Sequence, residues 1–214
     1  MKLKQLEAAL QDVAPFENPN NLLEQYPTSP HIGSRIIYTA ATSFADISGK
    51  CICDLGCGTG RLTIGALLMD ASHVISVDVD ASALAQTAAT LEEFDLDDSS
   101  CDLILADVTS PWFKSNDAVR GSLMVDTVIM NPPFGTRTKG IDVKFLEVAF
   151  AIAQSAVYSL HKTSTREFLV KKSKSLGWNA NVLAQLRFDI PAMYKHHKKE
   201  SVDIEVDLIR FSPL

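Results

Sequence analysis

The chain has 214 residues, of which 46% are hydrophobic and 21% charged, enough apolar material for one folded domain and too little charge for a disordered protein. No run approaches the roughly 18 apolar residues of a membrane helix. The first residues, Met1 to Glu7, lack the apolar core of a secretion signal. We therefore expect a soluble intracellular protein.

The distribution of charge is uneven. A net charge of −6 argues by itself against a nucleic-acid partner, but nine basic and only two acidic residues lie between His161 and Lys199. This asymmetry predicts either a basic face for a nucleic acid or a solvated helix surface, and the charges alone favour neither.

Hydrophobic periodicity and turn residues predict helices and strands that alternate along the chain. Helices are predicted at 2–12, 31–44, 62–69, 81–94, 143–154 and 165–176, and strands at 51–55, 74–77, 103–106, 127–130, 156–160, 182–188 and 202–208.

The strand patterns indicate the type of sheet. The early strands are apolar throughout, as in a parallel sheet covered on both faces, whereas residues 202–208 alternate apolar and acidic residues, as in an antiparallel strand with one face only partly covered. We predict an α/β fold: a doubly wound, seven-stranded, Rossmann-like sheet with an antiparallel last strand. Residues 1–214 form a single domain in this interpretation, with an N-terminal helical extension (1–45) and a core (46–214).

The four cysteines are predicted to be reduced. Cys51 and Cys53 alternate within an apolar strand, and neither Cys57 nor Cys101 completes a pair at zinc spacing. Core thiols therefore fit better than metal ligands, and no metal is expected.

Polar residues cluster where the predicted strands end. Asp54 precedes the glycine turn 56–60, Asp78 ends the second strand, and Asp107 ends the third. Glycines let the backbone approach a nucleotide, and an acid after the second strand can accept from ribose hydroxyls. A Gly-x-Gly-x-Gly turn alone fits NAD equally well.

Asn131-Pro-Pro-Phe134 follows the fourth strand. Two prolines prevent a helix there and remove two N–H donors, so the turn offers carbonyl oxygens, one side-chain amide and one ring. Such a site suits a planar amine. The same residues also fit an ordinary loop.

Together, the segments 54–60 and 131–134 resemble class I S-adenosylmethionine-dependent methyltransferases that methylate an exocyclic or amide nitrogen. Enzymes for adenine N6, guanine N2 and protein glutamine carry close variants of the tetrapeptide. The stretches 23–28, 128–136, 156–162, 164–167 and 202–211 resemble, over nearly the whole chain, the eukaryotic methyltransferase-like family that makes N6-methyladenosine at one position of small-subunit (18S) rRNA. Residues 108–124 match this family poorly, and Thr59 stands where the family varies.

The resemblance implies S-adenosylmethionine as cofactor, with contacts through Arg61 made by its backbone because the side chain is free to point away. Turn formation remains the alternative for Gln25 and Thr28, and a helix cap for Asp107. The implied cofactor-binding residues are Gln25, Thr28, Asp54, Gly56, Gly58, Thr59, Arg61, Asp78 and Asp107.

The tetrapeptide supplies the implied catalytic residues. The Asn131 side-chain oxygen and the Pro132 carbonyl are expected to accept the two N–H bonds of an adenine amine, Pro133 completes the turn, and Phe134 stacks on the base. No residue is an evident general base, and His161, His196 and His197 are better interpreted as core or RNA-contacting residues. The basic residues expected to bind RNA are Lys162, Arg166, Lys195, His196, Lys198 and Lys199.

The resemblance also implies a strand order of 3-2-1-4-5-7-6, which leaves strand 3 at an edge. A small zinc-binding activator subunit is expected to add a strand there and form a heterodimer. The alternative is that residues 108–124, with Trp112 and Phe113, cover this edge themselves. Acting on rRNA implies the nucleus, nucleolus and cytoplasm. A non-catalytic RNA-binding module, a guanine-N2 enzyme and a protein-glutamine enzyme remain the alternative functions.

Overall fold

The computed structural model describes residues 1–96, 98–110, 123–191 and 201–214. Helices and strands alternate through most of the chain. The helices are α1 (Leu3–Gln11), α2 (Pro30–Ser43), α3 (Arg61–Leu68), α4 (Ala81–Glu93), α5 (Ile141–Ile152) and α6 (Arg166–Ser175), and the strands are β1 (Cys51–Leu55), β2 (His73–Asp78), β3 (Cys101–Leu105), β4 (Val125–Met130), β5 (Ala153–Lys162), β6 (Trp178–Pro191) and β7 (Ser201–Pro213).

All seven strands form one sheet in the order β3-β2-β1-β4-β5-β7-β6. The neighbours from β3 to β5 pair in parallel, and β7 runs antiparallel to both β5 and β6. The predicted doubly wound sheet with an antiparallel last strand is therefore confirmed. Its strand order reverses between β1 and β4, where open α/β sheets bind ligands.

Both faces of the sheet are covered, which explains why the central strands are mostly apolar. Ile52 of β1 and Ile129 of β4 lie in a cluster with residues of α1, α2 and α3. Their neighbours Cys53 and Val128 belong to a second cluster on the other face, with residues of α5. Alternate residues of one strand thus enter two cores.

The antiparallel part of the sheet is longer than predicted, because β6 and β7 pair from Trp178–Pro213 to Pro191–Ser201. The prediction that β7 has one partly covered face is wrong at Asp207, which is 0% exposed. Its carboxylate accepts hydrogen bonds from Arg166 (2.6 and 2.7 Å) and from the Thr163 hydroxyl (2.9 Å). A buried charge persists here because it is paired and hydrogen-bonded.

The N-terminal extension is fastened to the core. Leu6 and Leu10 of α1 are fully buried, and Ser29 caps α2 by accepting from the Ile32 N–H (3.2 Å). From α3, the Arg61 guanidinium donates to the backbone carbonyls of Val13 and Thr28. Arg61 was predicted to have a side chain free to point away; instead that side chain is buried and holds residues 13–28 beside the sheet.

None of the helices in the described parts of the chain is long and apolar enough to cross a membrane. All four cysteines are free, and Cys53, Cys57 and Cys101 are buried.

Candidate active site

A cavity of about 350 Å³ lies at the carboxyl ends of β1 to β4. Its volume is within the range of small-molecule sites. The N-terminal segment 22–28 forms part of its wall. Most of the predicted site residues share this cavity: Gln25, Thr28, Asp54, Gly56, Gly58, Thr59, Arg61, Asp78, Asp107, Asn131 and Pro133 line it.

The glycine turn after β1 requires its glycines. Gly58 has φ +56°, and a Cβ there would lie 2.8 Å from the Phe16 ring. At Gly60, with φ +80°, a Cβ would lie 2.6 Å from the Thr87 methyl. Side chains are excluded at both positions by conformation and by space, so the turn brings bare backbone to the cavity.

Asp78 links this turn to the end of β2. Its Oδ2 accepts from the Gly58 N–H (2.8 Å), and its Oδ1 accepts from the Asp80 N–H (2.9 Å). Burial raises the pKa of Asp78 against the lowering effect of these backbone hydrogen bonds. Each carboxylate oxygen has further acceptor capacity, so the side chain can also receive ribose hydroxyls.

Asp54 is only 1% exposed. Its Oδ2 accepts from the Thr63 hydroxyl (2.8 Å), whereas its Oδ1 is buried and has no partner among the described residues. The Asp54 pKa is raised to about 7, chiefly by burial and to a lesser extent by the nearby Asp78 charge, against the lowering effect of the Thr63 hydrogen bonds. A cation bound in the cavity would favour the ionised form of Asp54.

We expect Asp54 to make stability depend on pH. Its pKa in the folded protein, about 7, lies above its ordinary value of 3.8, so the folded state holds the extra proton between these values. The free energy of unfolding should therefore decrease as pH rises from about 4 to about 7, by up to about 4 kcal/mol. Asp54→Asn should flatten this dependence in denaturant titrations at several pH values. Parallel curves for the two proteins would contradict the assignment, and Asp12→Asn, which alters an exposed carboxylate, serves as control.

Asn131 presents a defined acceptor at the end of β4. Its Nδ2 donates to the Thr28 hydroxyl (3.0 Å) and toward the Tyr26 carbonyl (3.4 Å). The Tyr26 carbonyl can only accept a hydrogen bond, so the Asn131 atom that points to it is the nitrogen Nδ2 and the other amide atom is the oxygen Oδ1. The Oδ1 atom is left buried and without a partner among the described residues. An unmet buried acceptor of this kind is costly and suits a ligand N–H.

The other residues of the tetrapeptide differ in position. Pro133 lines the cavity and Pro132 is buried. The Phe134 ring is 5% exposed and packs in the core, 5.4 Å from the Phe188 ring and 6.5 Å from that of Tyr26. Stacking on a base, the predicted role of Phe134, would require the ring to leave these contacts. The half-buried Tyr26 lines the cavity instead.

Gln25 and Asp107 both line the cavity, and both side chains already have hydrogen-bond partners. Gln25 donates to Asp80 (2.7 Å) and accepts from the Asn20 N–H (2.6 Å), so it ties the N-terminal segment to the end of β2. Asp107 is exposed and accepts from the N–H and hydroxyl of Thr109. Gln25 thus makes contacts of the kind expected from turn formation, and Asp107 holds a turn and does not cap a helix, while both still line the cavity.

Of the residues predicted to bind RNA, only Lys162 and Arg166 lie in the described part of the chain. Arg166 forms the ion pair with Asp207 and also donates to Gln185 (3.2 Å), and Lys162 is half-buried at the end of β5. His161 is fully buried, with Nε2 bonded to the Ser159 hydroxyl (2.9 Å), so it is a core residue. Lys195, His196, Lys198 and Lys199, like His197, Trp112 and Phe113, lie outside the described residues.

Sequence reasoning missed Glu24. Its side chain is buried in the cavity wall, and Oε1 accepts from the Arg137 N–H (2.8 Å). The sequence feature that indicated a role for Glu24 was its place beside Gln25 in the segment 23–28. A charged residue in a proline-containing loop is usually exposed, so this feature did not predict its burial.

The residues present fit S-adenosylmethionine. Three lining side chains carry a buried oxygen without a partner among the described residues: Asp54 Oδ1, Asn131 Oδ1 and Glu24 Oε2. These acceptors suit a ligand that brings N–H donors, and Asp78 suits its ribose. No group of His, Cys, Asp or Glu within the described ranges is arranged to hold a metal ion.

Comparison with known proteins agrees with this chemistry. Residues 30–165 match the methyltransferase small domain family. The rRNA N(6)-adenosine-methyltransferase METTL5 of Danio rerio is 51% identical over 214 residues, covering 100% of both chains. The Drosophila melanogaster protein of the same name is 44% identical and covers 99% of this chain and 96% of its own.

Among solved structures, that of a proposed RNA methyltransferase from Pyrococcus horikoshii has a TM-score of 0.85 and 36% identity, covering 100% of this chain and 98% of its own. The chain is thus an S-adenosylmethionine-dependent methyltransferase, and the cavity is its candidate active site. The chain belongs to the methyltransferase small domain family and, matched over 100% of its length, to the same methyltransferase family as the METTL5 proteins.

Proposed function

We propose that this methyltransferase transfers the methyl group to N6 of one adenosine in small-subunit (18S) rRNA. The observation that carries the proposal is the buried, unpartnered Oδ1 of Asn131. Thr28 and Tyr26 fix the orientation of the Asn131 amide. Its Oδ1 can therefore accept a hydrogen bond from an N–H group of the substrate. The full-length similarity to enzymes named for rRNA adenosine N6 supports this choice of amine and of RNA.

In the proposed mechanism, the chain's residues prepare the nucleophile. A methyl group on a sulfonium is already activated, so neither a covalent intermediate nor a metal is needed. The difficulty is the adenine amine, whose lone pair is delocalised into the ring. Asn131 Oδ1 and the Pro132 carbonyl accept its two N–H bonds, which favours a pyramidal nitrogen and stabilises the charge that develops on it. The same two bonds orient the amine for transfer.

The target adenosine must leave its stack to reach the cavity. In our proposal the region 161–199 attracts the RNA backbone, with Lys195, His196, Lys198 and Lys199 as its densest basic part. Exposed Lys171 and Lys174 on α6 add to it, together with the Phe168 ring, which is 54% exposed. Arg166 contributes less than predicted because Asp207 already binds its guanidinium.

We also propose that a small zinc-binding activator subunit pairs with β3. This strand lies at the edge of the described sheet, and its Leu105 is 61% exposed. An apolar edge strand invites pairing with another chain. Maturation of small-subunit rRNA in the nucleolus and cytoplasm makes the nucleus, nucleolus and cytoplasm the proposed locations.

Leu105→Glu is expected to abolish association with the activator subunit, because it places a charge on the edge that the partner would cover. The side chain is already exposed, so the variant should unfold at the same temperature as the parent. Co-expression and affinity purification would measure the association. Leu214→Glu changes another exposed leucine (74%) and should associate normally. Normal association of Leu105→Glu would show that the partner binds elsewhere.

The proposed substrate is tested by incubating the protein, with its activator, with tritiated S-adenosylmethionine and small ribosomal subunits. The RNA is then digested to nucleosides and the proteins are separated. We expect label in N6-methyladenosine. Label in N2-methylguanosine, or in protein alone, would establish one of the alternative enzymes. Cofactor binding without label in any product would favour a binding module.

A further inference from the structure

Glu24 is held in an unusual conformation in the wall of the cavity. Its φ of +53° lies in the left-handed region, which residues other than glycine rarely adopt. Local hydrogen bonds hold it there, from the Tyr26 N–H to the Glu24 carbonyl (2.8 Å) and from the Glu24 N–H to the Asn21 carbonyl (3.4 Å). Strain of this kind persists where the surroundings enforce it, and it is concentrated at functional sites.

Among the described residues, only one oxygen of the Glu24 carboxylate has a hydrogen-bond donor. The residue is 5% exposed, and its Oε1 accepts a hydrogen bond from the backbone N–H of Arg137 (2.8 Å). Arg137 lies in the loop after the tetrapeptide. The Oε2 atom is buried, closed to bulk water, and has no partner among the described residues. Burying a carboxylate oxygen without a donor is unfavourable, so a group absent from the protein itself is the natural partner.

The charge of the cavity indicates what that partner is. Among the described residues, four carboxylates line it, those of Glu24, Asp54, Asp78 and Asp107, and Arg61 is the one lysine or arginine. The Arg61 guanidinium is bonded to the carbonyls of Val13 and Thr28 and balances none of these acids. An acidic site of this composition favours a cation that carries N–H donors.

Glu24 belongs to the same wall as Asn131. The segment that carries Glu24 also supplies the Tyr26 carbonyl and the Thr28 hydroxyl that hold the Asn131 amide. With Asn131 Oδ1 kept for the amine of the target, a cofactor group in this cavity faces two buried acceptors, Glu24 Oε2 and Asp54 Oδ1. An ammonium group has three N–H donors and a positive charge, whereas a base amine has two donors and is neutral.

We propose that Glu24 is a cofactor-binding residue and that its Oε2 accepts a hydrogen bond from the ammonium group of the cofactor's methionine moiety. The Arg137 N–H keeps the carboxylate in position through its other oxygen. The same side chain thereby links cofactor binding to the loop that follows Asn131-Pro-Pro-Phe134. This assignment concerns the cofactor alone and stands whichever nitrogen accepts the methyl group.

The test uses Glu24→Gln in the full-length protein with its activator. Glutamine keeps the size of the side chain and one oxygen for the Arg137 N–H, but it replaces the second acceptor by a donor. The probes are S-adenosylhomocysteine and its desamino analogue, in which hydrogen replaces the amine. Calorimetry should show the variant binding S-adenosylhomocysteine about tenfold to a hundredfold more weakly than the parent. The desamino analogue should bind both proteins alike.

Two results would overturn the proposal. Unchanged affinity for S-adenosylhomocysteine would show that Oε2 does not bind the ammonium group. If the variant then also transferred the methyl group more slowly, Glu24 would contact the target base and not the cofactor. Equal weakening of both probes would mean that the residue only orders the wall. Glu17→Gln, which alters an exposed glutamate of the same N-terminal extension, should bind both probes as the parent does. Failure to methylate rRNA would not affect these binding measurements, so the two proposals fail separately.

Discussion

Asn131→Ala is expected to lower kcat for methyl transfer to rRNA by about 10²–10³-fold, the cost of removing one well-placed hydrogen-bonding group from a reaction centre. The acceptor Oδ1 binds the amine most strongly as charge develops on its nitrogen, so its loss acts mainly on the transition state. The Kd for S-adenosylhomocysteine should change by less than about threefold, because the glycine turn and Asp78 remain intact. Single-turnover transfer and calorimetry would measure the two quantities.

Asn131 also donates to Thr28 and Tyr26, so its removal loosens the cavity wall. Thr28→Val removes the hydroxyl that accepts from Asn131 Nδ2 and leaves Oδ1 in place. It should therefore slow transfer less than Asn131→Ala does. Asn181→Ala alters an exposed asparagine of β6 and should leave kcat unchanged. If Asn131→Ala loses cofactor affinity while bound cofactor still reacts normally, Asn131 holds the cofactor and not the amine.

Much of the fold could be predicted because the sheet is covered on both faces. Short, mostly apolar runs such as 51–55 and 127–130, bounded by turn residues, are typical of buried central strands, and their order follows from the family resemblance. The extent of β6 and β7 was harder to predict, because their pairing rests on cross-strand contacts and not on local propensity. Asp207 illustrates the limit: an acid in clean alternation indicates a solvated face, unless a distant arginine pairs with it, as Arg166 does.

The site residues that could be predicted from the sequence are those at the ends of strands. Asp54, Asp78 and Asn131 each follow an apolar run, and parallel strands bring such residues to one edge. Glu24 could not be predicted in this way, since its burial depends on a bond to Arg137, 113 residues along the chain. Nor could the position of the Phe134 ring, because an aromatic residue beside a site packs in the core as readily as it faces a ligand. Its packing against Phe188 decided between these positions.

Asp78→Asn is expected to weaken binding of S-adenosylhomocysteine about a hundredfold. Both carboxylate oxygens accept backbone N–H groups, from Gly58 and Asp80, and both have capacity left for ribose hydroxyls. An asparagine turns one oxygen into a donor, which then faces a backbone N–H and can receive no hydroxyl. Losing one charge-assisted hydrogen bond costs about 1.5–3 kcal/mol, and the upper end of this range gives about a hundredfold.

A second probe separates loss of the ribose contact from distortion of the glycine turn. The 2′-deoxy analogue of S-adenosylhomocysteine lacks one hydroxyl, so the parent protein should bind it more weakly than the natural compound. Asp78→Asn should discriminate less between the two ligands, because the acceptor for that hydroxyl is already impaired. If the variant discriminates as strongly as the parent, its weaker binding arises from the turn at Gly58 and not from the ribose. Undiminished affinity for both ligands would place the ribose away from β2. Asp12→Asn, which alters an exposed carboxylate, should bind both ligands as the parent does, so any loss at Asp78 reflects its position between the turn and the cavity and not the change of charge.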